Sequence, residues 1–329
     1  MKILITGSAG YIGSCLYEAL KNKYSIYAVD KDRPKIKKQK NFFLLNLLNK
    51  KKTDDLVKLV KPDLIIHLAG QSTIDHIKKK NEYKKNNIDI TNNIIDIIKT
   101  NKIKHLIFSS TAAVYKVSNK LLNEKSILSP NNIYGKTKLR CEKEIKKKLL
   151  KSETNYIIFR FFNVCSSLYK YKIGELHKPE THLIPIIAEK IRSNKKFFIY
   201  GKNFKTNDKT CIRDYIHIKD IVTAFNKSVK YLQKNKYSRI INLGTKKGFS
   251  TLEIFEKFKE LYKTKYFYPE PKYKKRRKGD VDKLICNNKK SFKILGWKPI
   301  NSKIDKIIID EVNWLKYVYK KKYRRTTIY

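Results

Sequence analysis

Short apolar runs alternate with amphipathic stretches along the first half of the chain. Between the runs, apolar residues recur every three or four positions, as at Ile90, Ile94 and Ile98. Strands without polar alternation are typical of a parallel sheet that is buried on both faces, and the amphipathic stretches predict the covering helices. The pattern therefore predicts a doubly wound α/β fold. Its strands are expected at residues 2–6, 25–29, 42–45, 64–68, 105–109 and 156–161.

The rhythm changes after about residue 165, where longer polar connections and shorter elements follow. We predict a Rossmann-type domain over residues 1–165, with a returning segment near 211–245. A smaller α/β domain is predicted over residues 166–329. It is expected to cover the carboxyl ends of the parallel strands, where ligands of such sheets bind.

The bulk composition narrows the class of protein. A chain of 329 residues, 41% of them hydrophobic, buries one large core or two moderate ones. No apolar run reaches the ~18 residues that span a bilayer, and the start resembles a strand rather than a signal peptide. The cysteines are odd in number and scattered, so we expect free thiols, no disulfide framework and no metal site. We also expect a cytoplasmic protein without a membrane partner. The cysteines are Cys15, Cys141, Cys165, Cys211 and Cys286.

The formal net charge of +47 admits two interpretations. Lys and Arg neutralise phosphates, so nucleic-acid binding is one of them. The other is compositional bias, because the chain is rich in Lys, Asn, Ile and Tyr throughout and holds only 11 Gly, as a very AT-rich genome would encode. We favour the bias and expect no specific nucleic-acid partner, since no RNA-binding motif, zinc spacing or recognition helix is apparent. A positive field would still attract anionic substrates.

A glycine-rich loop follows the first predicted strand. Residues 6–13 are TGSAGYIG and lead into a helical stretch. The glycines permit a tight turn close to a pyrophosphate, and the free N–H groups of the helix terminus attract it. Asp30 closes the second strand, where a carboxylate accepts from ribose hydroxyls and repels a 2′-phosphate. NAD is therefore favoured over NADP, although Lys31 and Arg33 nearby weaken that preference.

A second group of candidate residues follows the fifth predicted strand. Tyr134 and Lys138 lie four residues apart, hence on one helix face. A nearby ammonium favours phenolate, so we expect Lys138 to lower the pKa of Tyr134 and to make it a general base near neutral pH. The spacing alone recurs by chance among 22 Tyr, as at Tyr17 and Lys21. The setting distinguishes Tyr134, because the preceding strand ends near Thr111, whose hydroxyl would bridge a substrate hydroxyl and the phenol.

The sequence around Thr111 resembles the extended short-chain dehydrogenase/reductase family. Residues 108–115 are FSSTAAVY, and the two alanines after Thr111 resemble sugar-nucleotide epimerases. Related dehydratases carry an Asp-Glu pair there, so a dehydratase is disfavoured. Further segments resemble the UDP-glucose 4-epimerase family, in order and through both predicted domains. They are HLAG at 67–70, RFFN at 160–163, PETHLIP at 179–185, DKTCIRDYIH at 208–217, NLGTKKGFS at 242–250, RRKGD at 276–280 and LGWKP at 295–299.

This resemblance implies roles for individual residues. The implied catalytic residues are Tyr134, Lys138 and Thr111. The implied NAD-binding residues are Gly7, Gly10, Tyr11, Ile12, Gly13, Asp30, Asn46, Leu47, Ala69, Gly70, Tyr134 and Lys138. The implied residues that bind a UDP-sugar are Thr111, Tyr134, Asn163, His182, Arg213, Arg277 and Asp280.

The resemblance also implies a reaction and an assembly. Tyr134 would remove the proton of the sugar 4-hydroxyl with help from Thr111, and hydride would pass from C4 to a tightly held NAD. Its return to the other face of the sugar would interconvert UDP-glucose and UDP-galactose. A homodimer is implied through residues 88–99 and the helix after Tyr134.

Several positions depart from the family pattern, and alternatives stay open. Ser72 stands where the family has Lys, Asn46 where it has an acid, and Lys116 where it has Gly. At the position that gates room for an N-acetyl group, a bulky aromatic excludes that group and a small residue admits it. Leu284 is intermediate. The alternatives are therefore a 4-epimerase of UDP-N-acetylglucosamine or UDP-glucuronate, or a one-way NAD-dependent sugar-nucleotide oxidoreductase.

Overall fold

The computed structural model describes residues 1–35, 37–71, 80–177, 179–235, 237–262, 270–277 and 279–326. Ser72, which departs from the family pattern, and Lys278, within the RRKGD segment, lie outside the described residues. The strands are β1 (Lys2–Thr6), β2 (Ser25–Asp30), β3 (Phe42–Leu44), β4 (Leu64–His67), β5 (His105–Thr111), β6 (Asn155–Phe161), β7 (Asn163–Cys165), β8 (Ser167–Leu168), β9 (Ile173–Gly174), β10 (Phe198–Tyr200), β11 (Ile212–Arg213), β12 (Tyr215–His217), β13 (Arg239–Leu243), β14 (Phe249–Ser250), β15 (Lys272–Lys274) and β16 (Lys283–Leu284).

The helices alternate with the strands in the first half and then become less regular. They are α1 (Tyr11–Leu20), α2 (Lys50–Val60), α3 (Lys80–Tyr83), α4 (Ile90–Thr100), α5 (Ile133–Leu149), α6 (Leu183–Arg192), α7 (Ile218–Lys234), α8 (Thr251–Tyr262), α9 (Lys289–Leu295) and α10 (Ile304–Thr326). A π-helical turn, Lys84–Asp89, joins α3 to α4, and a 3-10 turn, Ala112–Val114, follows β5. Within the described residues, no helix is both long enough and apolar enough to cross a membrane.

A seven-stranded sheet forms the centre of the molecule. Its order is β13-β6-β5-β4-β1-β2-β3, and every neighbouring pair is parallel. The six predicted strands are all present, with ends shifted by one or two residues, so that β2 includes Asp30 and β5 continues to Thr111. The seventh strand, β13, was not predicted as a strand. The predicted doubly wound parallel sheet is confirmed.

Successive residues of a strand pack on opposite faces of this sheet. Ile3 and Ile5 of β1 belong to a core that includes residues of α1 and α7. Leu4, between them, belongs to a second core with residues of α2, α4 and α5. Because both faces are covered by helices, the strands need no polar alternation, which explains the continuous apolar runs.

A third core unites the later elements. Buried residues of α6, α8 and α10 pack there with Phe197 and Ile199 at β10. The short sheets β14-β11-β16 and β10-β15 also belong to this later part of the chain. This is the smaller α/β region, whose boundary near residue 165 stays a prediction. All five cysteines are free thiols, and four of them are buried.

An ion pair between α5 and β6 lies deep in the molecule. Arg160 donates through Nε and Nη2 to the two carboxylate oxygens of Glu142, at 3.0 and 2.7 Å, and both side chains are at most 1% exposed. The Ser110 hydroxyl also donates to Glu142, and Nη1 of Arg160 donates to the Tyr115 hydroxyl at 2.9 Å. The pair is therefore hydrogen-bonded on both sides, as buried charges require.

Glu142→Gln is expected to lower the free energy of unfolding by about 3 kcal/mol, because the buried guanidinium of Arg160 loses its counter-charge. The measurement is equilibrium urea denaturation. The control is Glu144→Gln on the same helix, which breaks the partly exposed pair with Arg140. It is expected to change the free energy of unfolding by less than about 1 kcal/mol. Equal losses in the two variants would contradict this assignment.

Candidate active site

One cavity of about 680 Å³ collects residues from the sequence motifs throughout the chain. Its size lies within the range of small-molecule sites, about 300–1,000 Å³. The structure brings every predicted site residue to this cavity, although their individual roles stay predictions. Those residues are Gly7, Gly10, Tyr11, Ile12, Gly13, Asp30, Asn46, Leu47, Ala69, Gly70, Thr111, Tyr134, Lys138, Asn163, His182, Arg213, Arg277 and Asp280.

In the glycine-rich loop between β1 and α1, Gly7 and Gly13 are packed too closely for a Cβ atom. Gly7 has a φ of +70°, and a Cβ there would lie 2.6 Å from the Ala69 nitrogen. A Cβ on Gly13 would lie 2.2 Å from the Gly7 carbonyl oxygen. The N-cap of α1, Gly10, makes no side-chain cap, whereas Asn49 and Asn132 cap α2 and α5. The first-turn N–H groups of α1 are thus left for an anion, which fits a pyrophosphate.

Asp30 lies at the end of β2, beside this loop. Its carboxylate accepts hydrogen bonds from the backbone N–H groups of Ala9 and Asp32, at 3.0 and 3.1 Å. Burial raises the pKa of Asp30. Asn46 also lines the cavity, but its side chain accepts from the Leu48 N–H at 3.0 Å. This part of the cavity combines a carboxylate with an amide, a donor and acceptor set that suits a nucleoside.

Helix α5 carries Tyr134 and Lys138 to the carboxyl end of β5. The N-cap Asn132 accepts from the Gly135 N–H at 2.8 Å and fixes the first turn. A Cβ on Gly135 would lie 2.3 Å from the Ala113 carbonyl oxygen, so the helix lies directly on the turn after β5. Tyr134 is consequently within hydrogen-bonding reach of the Thr111 hydroxyl. The predicted catalytic residues therefore meet in space.

The electrostatics of Tyr134 differ from the expectation. Burial raises the pKa of Tyr134 to about 12. The hydrogen bond with Thr111 counteracts this rise, whereas Lys138 does not. Burial lowers the pKa of Lys138 to about 8, so its ammonium form still predominates at pH 7. Its Nζ donates to the Ser109 carbonyl oxygen at 2.8 Å. The predicted lowering of the pKa of Tyr134 by Lys138 is wrong for the protein groups alone, because burial raises that pKa and Lys138 is not among the groups that shift it.

Two buried side chains that were not singled out support the site. Asn87, in the π-helical turn, accepts from the Gln71 N–H at 2.7 Å and donates to Thr137 of α5 at 2.9 Å. It therefore joins the loop after β4 to the catalytic helix. His67 lies between the hydroxyls of Thr6 and Thr91, and burial lowers its pKa to about 3, so it stays neutral. A π-helical turn often marks a functional site, but no local sequence pattern indicated this one.

Two arginines line the other part of the cavity. Nη1 of Arg213 donates to the Val281 carbonyl oxygen at 2.8 Å, and Nη2 lies 3.6 Å from a carboxylate oxygen of Asp280. The guanidinium of Arg277 lies 3.9 Å from the ring centroid of Tyr200. Both groups are held by the protein and still border the cavity, so they suit a diphosphate.

The buried carboxylate of Asp214 fixes the strand that carries Arg213. It accepts from the N–H groups of Thr245, Lys246 and Cys286 and from the Thr245 hydroxyl. Burial raises the pKa of Asp214 to about 6. The backbone carbonyl of Asp214 accepts from the N–H of Asn163 at 2.9 Å. The predicted substrate residues Asn163 and Arg213 thus depend on a common support.

His182 lies at the start of α6 beside acidic groups. Its Nδ1 is 2.6 Å from Glu175 and 3.2 Å from Glu180. Burial alone would lower the pKa of His182, but the two carboxylates outweigh it and raise the pKa to about 10. Glu175 and His177 also line the cavity and were not predicted. The alternation of His and Glu over residues 175–182 is the signal that would have indicated them.

A parallel sheet whose glycine loop and Thr-Tyr-Lys set share one cavity defines a nucleotide-dependent enzyme of the short-chain dehydrogenase/reductase type. The profile of the NAD dependent epimerase/dehydratase family matches residues 3–244, and the chain belongs to this family. The resemblance seen in the sequence motifs is thereby confirmed.

Known proteins resemble the chain over nearly its whole length. A UDP-glucose 4-epimerase of Lactobacillus helveticus is 33% identical over 324 residues, which cover 96% of this chain and 97% of that protein. A UDP-Glc/GlcNAc 4-epimerase of Campylobacter jejuni has a TM-score of 0.79 at 31% identity, covering 96% and 99%. The UDP-glucose 4-epimerase of Bifidobacterium longum, in complex with NAD+ and UDP, has a TM-score of 0.88 at 25% identity, covering 96% and 98%.

Gly13→Ala is expected to lower the free energy of unfolding by about 1–3 kcal/mol, because its methyl group collides with the Gly7 carbonyl. Gly10→Ala is the matched control, since a Cβ there would lie 3.3 Å from the same oxygen. We expect a loss below about 1 kcal/mol for the control. The free energy of unfolding of both variants is measured by thermal or urea denaturation. Equal losses in Gly10→Ala and Gly13→Ala would disprove the packing argument.

Proposed function

We propose that this enzyme interconverts UDP-glucose and UDP-galactose by transient oxidation at C4 with tightly bound NAD. The observation that carries the proposal is the meeting of Thr111, Tyr134 and Lys138 in one cavity with an uncapped helix terminus and two arginines. The 33% identity with a UDP-glucose 4-epimerase supports the same reaction. The chain is accordingly an isomerase rather than a net oxidoreductase.

Three observations support NAD as the cofactor. Gly7 and Gly13 of the loop leave no room for a Cβ atom, and no side chain caps the start of α1. Asp30 stands at the end of β2, where a carboxylate disfavours a 2′-phosphate. The similar enzyme of Bifidobacterium longum was crystallised with NAD+. When bound, NAD supplies the reversible oxidation at C4 and, in its oxidised form, a positive charge.

The protein groups move one proton and hold the substrate. The Tyr134 oxygen removes the proton of the sugar 4-hydroxyl, and the Thr111 hydroxyl donates to that oxygen and so stabilises the phenolate. Lys138 lines the same cavity and is still charged at pH 7, and its Nζ donates to the Ser109 carbonyl oxygen. After C4 is oxidised, Arg213 and Arg277 hold the diphosphate while the sugar turns its other face. Tyr134 would then return the proton to the sugar oxygen as C4 is reduced on the opposite face.

The turn after Thr111 argues against elimination. Ala112 and Ala113 follow Thr111 in the 3-10 turn, and neither offers an acid to protonate a leaving hydroxyl. Ala112 is fully buried, so the position is filled by packing rather than by a reactive group. A reaction that only moves hydrogen at C4 needs no such acid, which agrees with epimerisation.

A second substrate is supported by Leu284. In the β11–β16 pair, Leu284 is the register partner of Arg213, and it lines the cavity. A side chain of intermediate size there leaves room that an aromatic ring would fill. The similar enzyme of Campylobacter jejuni carries both glucose and N-acetylglucosamine in its name. We therefore keep 4-epimerisation of UDP-N-acetylglucosamine as the second candidate function.

We also propose a homodimer and a cytoplasmic location. Helices α4 and α5 share one core within the chain, as two helices of a four-helix bundle would. The outward residues Lys136, Arg140 and Lys143 of α5 are exposed, so the face between copies would be polar. Sedimentation of the purified protein distinguishes one copy from two. The free thiols agree with a reducing compartment.

The first experiment offers UDP-galactose to the purified protein without added NAD and detects UDP-glucose. We expect turnover, and Tyr134→Phe is expected to reduce kcat by about 10²- to 10⁴-fold because the base is lost. The amount of bound NAD, measured after its release from the protein, should be the same in Tyr134→Phe as in the wild type. Tyr17→Phe is the control, since Tyr17 has the same spacing to Lys21 but does not line the cavity. If no turnover is seen, NAD is added, and NADH formed in proportion to the substrate consumed would then identify a one-way oxidoreductase.

Leu284→Tyr is expected to lower kcat/KM for UDP-N-acetylgalactosamine by about 10- to 100-fold, because the ring fills the space for the N-acetyl group. The value for UDP-galactose should change little. Leu284→Ala is the opposite variant and should favour the N-acetyl substrate. If kcat/KM fell equally for both substrates in Leu284→Tyr, Leu284 would support the site without selecting the sugar.

A further inference from the structure

Two histidines and two glutamates meet on the loop between β9 and α6. Nδ1 of His177 and Nδ1 of His182 lie 3.0 and 2.6 Å from the same carboxylate oxygen of Glu175. They lie 3.9 and 3.2 Å from a carboxylate oxygen of Glu180. Each of the four residues offers one ligand atom, and these four atoms all lie within 4.8 Å of one another.

We propose that Glu175, His177, Glu180 and His182 bind a divalent transition metal of the zinc type. Zinc prefers four ligands at about 2.0–2.2 Å in a tetrahedron, so its ligand atoms lie roughly 3.3 Å from one another. The four separations between the imidazole nitrogens and the carboxylates run from 2.6 to 3.9 Å and bracket that value. Imidazole nitrogens with carboxylate oxygens favour zinc over magnesium or calcium.

Unsatisfied polar atoms in the cluster point to a missing cation. Glu175 is 1% exposed, and among the described residues its Oε2 has no hydrogen-bond partner. Nδ1 of His177 is also buried without a hydrogen bond of acceptable geometry. Such atoms are rare in folded proteins and usually indicate an ion or a water. Two carboxylates with two neutral imidazoles carry a charge of −2, which one divalent ion neutralises.

The backbone already holds the ligands in position. The Trp314 indole donates to the Glu175 carbonyl oxygen at 2.7 Å, and a Cβ on Gly174 would lie 2.7 Å from the same indole. Glu180 accepts from the N–H groups of Thr181 and His182 through Oε1. Supports of this kind around the ligands fix their orientation and increase metal affinity.

The competing interpretation is a cluster held by protons alone. A protonated His182 between Glu175 and Glu180 gives a favourable ion pair, in agreement with its raised pKa. It leaves Oε2 of Glu175 without a hydrogen-bond partner among the described residues, and Nδ1 of His177 without a hydrogen bond of acceptable geometry. A metal ion would replace that proton, so binding would release protons and weaken as the pH falls. Metal content therefore separates the two interpretations.

The test uses the full chain, purified without a histidine tag, chelator or added metal. Zinc is measured by mass spectrometry, and the chelator-treated protein is then titrated with Co²⁺, which has visible absorption bands in a tetrahedral site. We expect about one metal ion per chain. His177→Gln and Glu180→Gln should each reduce affinity for Co²⁺ by at least about tenfold.

His105→Gln is the matched control, because His105 begins β5 and is not part of the cluster. Unchanged Co²⁺ binding in this variant, with loss in His177→Gln, supports the proposal. Wild-type protein that holds no zinc and gives no tetrahedral Co²⁺ spectrum would overturn it, as would equal losses in both histidine variants. Circular dichroism checks that each variant is folded. No sugar nucleotide enters this test, so it stands or fails apart from the proposed reaction.

Discussion

The buried ion pair between Glu142 and Arg160 is the constraint on which the geometry of the active site depends. Tyr134, Lys138 and Glu142 follow one another at intervals of four and so lie on one face of α5. Arg160 holds the last of them to β6, and Ser110 of β5 donates to the same carboxylate. Thr111 directly follows Ser110 in β5. The buried carboxylate of Glu142 therefore fixes the orientation of α5 relative to the strand that carries Thr111.

The same pair connects the catalytic helix with distant segments. Nη1 of Arg160 donates to the Tyr115 hydroxyl, which donates to the Asn242 side chain at 2.7 Å. Asn242 ends β13 together with Leu243, and two residues later Thr245 donates to Asp214, the support of the strand with Arg213. Buried polar networks are stable only when each member has its partner. This explains why the recognisable segments are spread over nearly 300 residues yet act as one site.

The sheet was predictable because its first six strands each contain a continuous apolar run, as expected for strands that are buried on both faces. Strand β13 escaped prediction since it begins with Arg239 and lies among polar connections, and its pairing with β6 joins residues far apart in sequence. The site residues were found through the order of motifs, because charge alone did not distinguish Arg277 from its basic surroundings. The shift in the pKa of Tyr134 was not predictable, as spacing on a helix gives proximity but not desolvation.

The distribution of carboxylates bears on the unusual charge. The chain has 76 Lys and Arg but only 29 Asp and Glu. Several of these acids are at most 1% exposed and serve inside the protein, namely Glu142, Glu175, Asp214, Asp220 and Glu311. Since buried acids contribute little to the outer surface, the solvated surface is more basic than the composition suggests. Because lysines occur throughout the sequence, we expect a broad positive field. Such a field raises the encounter rate of an anionic sugar nucleotide, and it does so less at high salt.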